Sequence, residues 1–594
     1  MPTPRALLKS VFGYDDFRPG QEEIVSAVLS GAPVLAVMPT GSGKSMCFQL
    51  PAIADDGLTV VVSPLIALMR DQVQQMQALG VAAATLNSSN SGDDNAQATR
   101  ALRCGELRLL YVSPERLFTE GLMEDLRHIG RLRLAIDEAH CISEWGHDFR
   151  PEYRDLGRAA RMLEAQVIAF TATADAATRD DIVRRLFAEP PRIFLHSFDR
   201  PNLDLNFAAK DQPRKQLLRF LSKHKGESGI VYCTSRDRTE RLAEYFESNG
   251  FPALAYHAGL DADVRARAQD RFLKEDGIVI CATVAFGMGV NKPDVRFVAH
   301  ADMPGSVESY YQEIGRAGRD GLPADTLALY GLDDMAFWRR RIEEKDIPQE
   351  RKTLEHARFS ALANLCESPR CRRQTLLACF DEEAPACGRC DHCRGEVETR
   401  DGAVDAQKAL SAIYRSGQRF GAGYIADILV GDASEAVRRN GHDGIKTFGA
   451  GKDRSKAQWT SILRQLFAVG ALKSASLEHG GFAITPQGED ILFGRATIQL
   501  RETLVAKRER SGVRPATSSH GVSDELLAAL KRKRLELARA QNMPAYMIFA
   551  DRTLIDMAEK RPATLDEMRE VNGVGERKLA AYGEAFLEVL AQAG

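Results

Sequence analysis

Eight consecutive residues, Met38-Pro39-Thr40-Gly41-Ser42-Gly43-Lys44-Ser45, have the types and spacing of a phosphate-binding loop. Glycines let backbone N–H groups close on phosphate oxygens, Lys44 brings a positive charge to the β- and γ-phosphates, and the Ser45 hydroxyl can hold Mg²⁺. The strict pattern starts with glycine where this chain has Met38, so alone the stretch could also be a glycine-rich turn. About 90 residues on, Asp137-Glu138-Ala139-His140 closes an apolar run. A carboxylate at the end of a buried strand is costly to desolvate unless a cation is near, and phosphate-bound Mg²⁺ is such a cation. Asp137 then fits the metal carboxylate, Glu138 the acceptor of a proton from attacking water, and His140 a link to Gln or Thr residues of neighbouring motifs. A third group lies in Tyr310-Tyr311-Gln312-Glu313-Ile314-Gly315-Arg316-Ala317-Gly318-Arg319-Asp320-Gly321, where Arg316 and Arg319 stand on one helical face or on its frayed end. From there they can reach a γ-phosphate held elsewhere, a contribution worth about 10³–10⁵ in rate. The three groups together describe hydrolysis of a nucleoside triphosphate.

The elements needed to position them follow from the apolar pattern. The loop lies between the run Val34 to Val37 and a helix expected from about Lys44. Runs at Thr59–Val62, Leu109–Val112, Leu134–Ile136 and Val167–Phe170 alternate with amphipathic stretches, the pattern of a parallel sheet covered on both faces. Ligands in such sheets sit at the carboxyl ends of the strands, where Ser63-Pro64, Asp137-Glu138 and Thr171-Ala172-Thr173 occur. Upstream, Tyr14, Arg18 and Gln21 could sandwich and hydrogen-bond a purine, though the same segment also suits a helix start with two core aromatics. Phe187 to Asn202, with Pro190-Pro191 and Asp199-Arg200-Pro201-Asn202, reads as a connector. A second α/β series follows, with strands expected at Gly229–Cys233, Leu254–Tyr256, Ile278–Cys281, Phe297–Ala299 and Thr326–Leu329 and no second phosphate loop.

At 594 residues the chain has room for about four domains. Its 44% hydrophobic and 27% charged residues are an ordinary globular composition. No apolar stretch spans a bilayer and no basic-plus-apolar leader is present, so a cytoplasmic protein without membrane contact is expected. The net charge of −3 requires any nucleic-acid contact to come from local basic surface.

In order, Gln21, the loop at 38–45, the Asp137 tetrapeptide and Thr171-Ala172-Thr173 match the motifs of superfamily 2 helicases. The stretch Cys141 to Tyr153, with Trp145, His147, Phe149 and Arg150, resembles the aromatic-rich loop of the RecQ family, bacterial type with a single HRDC domain. Exposed rings beside an arginine suit stacking on unpaired bases, although the same rings could form a buried hinge. Thr234-Ser235-Arg236 and Ala282 to Asn291 match the remaining core motifs of that family.

Eleven cysteines are present, and seven are scattered singly like reduced core thiols. Cys371, Cys387, Cys390 and Cys393 instead have metal-ligand spacing; by spacing alone they fit a closed structural Zn²⁺ site or an iron–sulfur cluster. The RecQ resemblance implies zinc on a helical platform. Between Ala436 and Arg464, seven basic residues face Asp443 and Asp453. That imbalance reads as a duplex-binding winged-helix surface including Lys452, Arg454 and Lys456, with a helix at Ser455–Gly470 and a wing at Leu477–Ile484; a solvated helical face is the alternative. Residues 511–521 have linker composition. The last segment resembles the HRDC domain through Asn542 to Phe549, which includes Tyr546, and through Val571 to Gly575, whose Gly573 and Gly575 could offer N–H groups to phosphate beside the basic run Lys531 to Arg534.

The expected architecture is α/β: two RecA-like parallel-sheet lobes (1–198 and 199–338), a helical zinc-binding platform (339–402), a winged-helix RQC domain (403–508), a linker (509–521) and a small all-α HRDC domain (522–594). The resemblance implies an ATP-dependent 3′-to-5′ DNA helicase of repair, recombination and replication-fork maintenance, using ATP, Mg²⁺ and Zn²⁺. It implies single-stranded and forked DNA as substrates, single-stranded-DNA-binding protein and other repair proteins as partners, a monomer, and a nucleoid location. Adenine contacts fall to Tyr14, Arg18 and Gln21, phosphate contacts to Thr40 through Ser45, metal to Ser45 and Asp137, and DNA contacts to Trp145, His147, Phe149, Arg150, Lys452, Arg454, Lys456 and Tyr546. An RNA helicase shares the motor, and a binding or annealing scaffold would need a broken acid or arginine motif, whereas both are whole here.

Overall fold

The computed structural model describes residues 3–143, 150–286, 292–395, 398–475, 481–502 and 524–592. The first lobe is a parallel sheet of β1 (Val34–Val37), β2 (Leu58–Val62), β3 (Ala83–Leu86), β4 (Leu109–Val112), β5 (Leu132–Ile136), β6 (Gln166–Thr171) and β7 (Arg192–Leu195), in the order β3-β4-β2-β5-β6-β1-β7. Strands β1, β2, β4 and β5 are buried at every position, as their unbroken apolar runs require when helices cover both faces. The two edge strands are additions to the expected set. Strand β3, Ala83-Ala84-Thr85-Leu86, has too little apolar bulk to announce itself. Strand β7 lies inside the stretch read as connector and pairs with β1, leaving Ile193 and Leu195 exposed on the rim.

The second lobe consists of β8 (Leu203–Ala209), β9 (Gly229–Tyr232), β10 (Ala253–Tyr256), β11 (Val279–Ala282), β12 (Phe297–His300) and β13 (Ala324–Tyr330), in the order β10-β11-β9-β12-β13-β8. Strand β8 was also unexpected; its alternation of buried and half-buried residues hides it from a search for continuous apolar runs. It follows the connector and pairs with β13 over seven residues.

Beyond the lobes come three platform helices, Leu332–Glu343, Gln349–Glu367 and Arg372–Ala378. The winged-helix module has helices Ala403–Arg415, Ala422–Val430 and Lys456–Ala468, the last with a Ser455 capping box, and a hairpin Leu472–Ser474/Phe482–Ile484. A strand pair, Glu398–Asp401 with Gln499–Glu502, closes that module end to end. Wing residues 477–480 lie outside the described residues. One apolar core runs from the first lobe through the second, the platform and the winged helix, including Leu35, Leu203, Phe359 and Trp459. The carboxyl-terminal helical module has a core of its own, around Leu530, Phe549, Met557 and Phe586. No helix among the described residues is long and apolar enough to cross a membrane.

In the second lobe, His224 joins the segment after helix Pro213–Leu221 to β13: its ring meets Glu227 at 2.8 Å and Asp325 at 3.3 Å. Burial opposes the charge, but Asp325 and Glu227 outweigh it and raise the imidazolium to about 9. A pKa raised above the unfolded value of about 6.5 stabilises fully below that value and is lost as pH climbs through 9. His224→Gln should therefore weaken urea resistance of the second lobe by about 1–3 kcal/mol at pH 6 and by much less above pH 9. Equal losses at both pH values would contradict this assignment.

Candidate functional site

Three neighbouring strands bring the chemistry together. The phosphate loop follows β1, Thr171 ends β6 opposite Val37, and Asp137 follows β5 on the far side of β6. In the loop, Gly41 and Gly43 have φ of +83° and +84°, a conformation that favours glycine. Lys44 Nζ lies 3.4 Å from the Met38 carbonyl, so the position where the strict motif has glycine supplies only backbone here, and its side chain packs in the core. Gln21 donates to the Ser42 and Gly43 carbonyls at 3.1 and 3.0 Å and accepts the Arg18 N–H at 2.9 Å, while Arg18 donates to the Gly41 carbonyl. Two of the three residues expected to read adenine, Arg18 and Gln21, are thus wired directly to the phosphate loop; the third, Tyr14, is 40% exposed beside them.

Burial, with Glu138 adjacent, pushes the Asp137 carboxyl up to about 7 against the pull of Lys44. A site of that kind favours a bound cation. Glu138 is held in the left-handed region at φ 50°, ψ 47°, which is strained for a residue with a side chain. Its carboxylate lies 3.3 Å from His140 Nδ1, and the same nitrogen meets the Thr171 hydroxyl at 2.9 Å. His140 thus hydrogen-bonds Thr171 at the end of β6 and stands beside the Glu138 carboxylate after β5.

The arginines arrive from the other lobe. Helix Val307–Ile314 is anchored by the buried pair His300–Glu313 at 2.7 Å, and it ends at Gly315, so Arg316 and Arg319 lie in the turn beyond the helix and not on its face. That turn abuts the phosphate loop. A Cβ at Gly315 would fall 2.9 Å from Thr40 Cβ, and one at Gly41 would fall 3.4 Å from Arg319 Cγ. Burial, then repulsion from Arg316 and Arg200, lowers Arg319 to about 9, while Glu138 partly offsets them. Arg316 instead neighbours the Tyr232 hydroxyl. The sequence gives Arg200 in the connector no role, and nothing local sets it apart from Arg192 of the same stretch.

For the DNA contacts, Trp145, His147 and Phe149 lie outside the described residues, as do 287–291. Arg150 lines a cavity of about 210 Å³ with Pro64, Ser88 and Ser113. In the winged helix, Lys452 is exposed, but Arg454 pairs with Asp405 at 2.9 Å and Glu502 at 3.3 Å, and Lys456 with Asp427 and Asp432 at 2.6 Å. These two cations carry carboxylate partners inside the module because the strand Gln499–Glu502 and helix Ala422–Val430 fold back beside them.

The HRDC residues also have other partners than expected. Lys531 and Arg534 converge on Asp551 at 3.0 and 2.7 Å, and these cations outweigh burial to hold its carboxyl well below the usual range. The glycine turn docks on the first lobe: the Gly573 N–H donates to the Gly13 carbonyl at 2.6 Å, and a Cβ at Gly13 would fall 2.5 Å from Gly575 N. Lys274 of the second lobe donates to Asn542 at 2.8 Å, and Tyr546 is half-buried against the core shared by the lobes. In this arrangement the turn and Tyr546 face protein.

The sulfurs of Cys371, Cys387, Cys390 and Cys393 lie within 4.8 Å of one another, with two of the separations at 3.9 Å. A tetrahedron of Zn–S bonds of about 2.3 Å has edges of about 3.8 Å, so one ion fits; an iron–sulfur cluster would spread its thiolates more widely. Backbone N–H groups of Cys387, Arg372, Cys390 and Cys393 point at these sulfurs. The other seven cysteines form no disulfide, and Cys104, unlike the core thiol expected, is exposed at the end of helix Gly92–Arg103.

Two parallel-sheet lobes, one carrying a phosphate loop and acids, the other arginines across a shared cleft, define a nucleotide-driven motor of the helicase class. Family models agree segment by segment: DEAD/DEAH box helicase over residues 18–182, helicase conserved C-terminal domain over 212–321, RecQ zinc-binding over 332–394, RQC domain over 396–509 and HRDC domain over 523–590. The ATP-dependent DNA helicase RecQ of Haemophilus influenzae is 43% identical over 99% of this chain and 96% of its own length. The RecQ helicases of Pasteurella multocida (43%, covering 99% and 93%) and Bacillus subtilis (35%, covering 98% of each) are also similar. The chain belongs to the RecQ family of ATP-dependent DNA helicases. The four-cysteine cluster accordingly lies in a RecQ zinc-binding module.

Gly315→Ala should force Thr40 away from the arginine turn and cut DNA-stimulated ATP turnover about 10- to 100-fold, with far-UV circular dichroism unchanged. Unaltered turnover would show that the close approach is dispensable. Stripping zinc with a chelator should unfold the platform and release one equivalent of metal together with helical signal; metal release without loss of helix would refute a structural role.

Proposed function

We propose that the chain couples ATP hydrolysis in the interlobe cleft to 3′-to-5′ movement on single-stranded DNA, separating forked and tailed duplexes in repair, recombination and replication-fork maintenance. The observation that carries this reading is the meeting of the phosphate loop, Asp137, Glu138 and Arg319 in a cleft that neither lobe completes alone. Lys44 and the loop residues Thr40 to Ser45 hold the phosphates, and Ser45 with Asp137 holds Mg²⁺. Glu138, oriented through His140 and Thr171, takes the proton of the attacking water. Arg319 meets the transition-state charge, with Arg316 beside it. Tyr14 stacks on adenine, while Arg18 and Gln21 convey base occupancy to the phosphate loop through its carbonyls.

A strand path along the first lobe is supported by the cavity under Arg150, and Lys452 offers an exposed cation for duplex backbone on the winged helix. Trp145, His147 and Phe149 complete that path by stacking on bases. Arg454, Lys456 and Tyr546 contact DNA only if their present partners give way. The chain acts as a monomer in the cytoplasm at the nucleoid, meeting single-stranded-DNA-binding protein on its substrate. Unwinding of 3′-tailed duplexes should exceed that of 5′-tailed and blunt ones by at least about tenfold, and Lys44→Ala should abolish ATP hydrolysis with DNA binding retained. A preference for 5′ tails would reject the polarity; full hydrolysis by Lys44→Ala would reject the site.

A further inference from the structure

The connector between the lobes carries a guanidinium with an acceptor for each of its five N–H donors. Arg200 Nε faces Asn202 Oδ1 at 3.3 Å. One terminal nitrogen donates to the Thr40 carbonyl of the phosphate loop and lies 3.4 Å from the Gly315 carbonyl. The other donates to the carbonyls of Ala317 and Gly318, both at 3.0 Å. No carboxylate is among these partners, and burial draws the guanidinium below its ordinary pKa. A cation held largely by carbonyl dipoles is costly, and a lone connector needs none to be flexible. The carbonyls it gathers bracket the arginine turn: Ala317 and Gly318 directly precede Arg319, and Thr40 directly precedes Gly41, against which Arg319 lies.

The other side of the connector is gripped by the zinc platform. Arg373 donates to the carbonyls of Arg200, Pro201 and Leu203 at 3.3, 3.4 and 3.1 Å and pairs with Asp199 at 3.2 Å. Arg389, from within the cysteine knuckle, donates to the Pro201 carbonyl at 2.8 Å. We propose that Arg200 is a positioning residue that latches the phosphate loop to the arginine turn as the lobes close, and that Arg373 places this latch under the control of the zinc platform. Lysine cannot replace it, since a single ammonium has three donors from one point and cannot span carbonyls of both lobes. The inference rests on ATP being hydrolysed in this cleft.

The test is steady-state ATP hydrolysis by the full-length, zinc-loaded protein with saturating single-stranded DNA. Arg200→Lys and Arg200→Ala should each lose about 10²-fold in kcat, with KM for ATP and DNA affinity changed by no more than about threefold. Added guanidinium chloride, below denaturing concentration, should restore part of the rate of Arg200→Ala and none of the rate of Arg200→Lys. Arg373→Ala should keep the DNA-free rate and lose most of the stimulation by DNA. An Arg200→Lys kcat within about threefold of the parent overturns the proposal, as does a fall in kcat that tracks lost thermal stability without guanidinium rescue. A parent protein that hydrolyses no ATP would instead overturn the functional reading on which it rests.

Discussion

Two separate sheets can act on one phosphate chain only if their loops pack closely, and here Gly315 of the arginine turn packs against the Thr40 side chain of the phosphate loop. This contact acts together with the hydrogen bonds of Arg200 to Thr40, Ala317 and Gly318. With the turn this close, Arg319 reaches the phosphate loop and the field of Glu138; a side chain at residue 315 would hold the lobes apart. The acids on the first lobe bear the complementary cost. Asp137 is half-buried and resists ionisation without a cation, and Glu138 is held in a strained backbone conformation. Such features are tolerated where chemistry requires them, and the parallel sheet behind them supplies the rigidity.

That rigidity extends past the lobes. Phe198 of the connector stacks on Phe380 of the platform with ring centroids 4.7 Å apart, and Tyr311, on the arginine helix, donates its hydroxyl to the Phe198 carbonyl at 2.9 Å. The platform is tied in turn to the winged helix. Glu367 is buried between Arg464 and Arg501, and Arg339 lies 3.9 Å over the Phe467 ring. Buried Arg372, which pairs with Asp391 at 2.8 Å, braces the cysteine knuckle from behind. A zinc module is therefore a structural neighbour of the hinge as well as a support for a DNA-binding surface.

The HRDC domain stands apart energetically, with its own core, yet it touches both lobes, one through Gly13 and the other through Lys274. Its glycine turn has the N–H geometry that attracts phosphate, and the same N–H groups serve equally well for a backbone carbonyl. Which of the two they meet depends on what is close enough. In this arrangement it is the segment leading into Tyr14 and Arg18.

Local chemistry was readable without coordinates where it is written in consecutive residues. The phosphate loop, the Asp137 tetrapeptide, the cysteine spacing and the fully buried strands depend on short-range geometry and on burial of both faces of a strand, both of which leave a mark in the order of residue types. Strands β3, β7 and β8 left no such mark, because sheet edges are half-covered and mix polar with apolar residues. Nor could charge counting distinguish cations that meet solvent from those that meet carboxylates. Arg454, Lys456 and Arg534 look identical in sequence to Lys452, and only the return of distant strands and helices gives them partners. Arg200 is the sharpest case: its type is visible to any reader, but its five acceptors come from segments on both sides of it, as far away as residue 40, and hydrogen bonds across such separations exist only once the chain has folded.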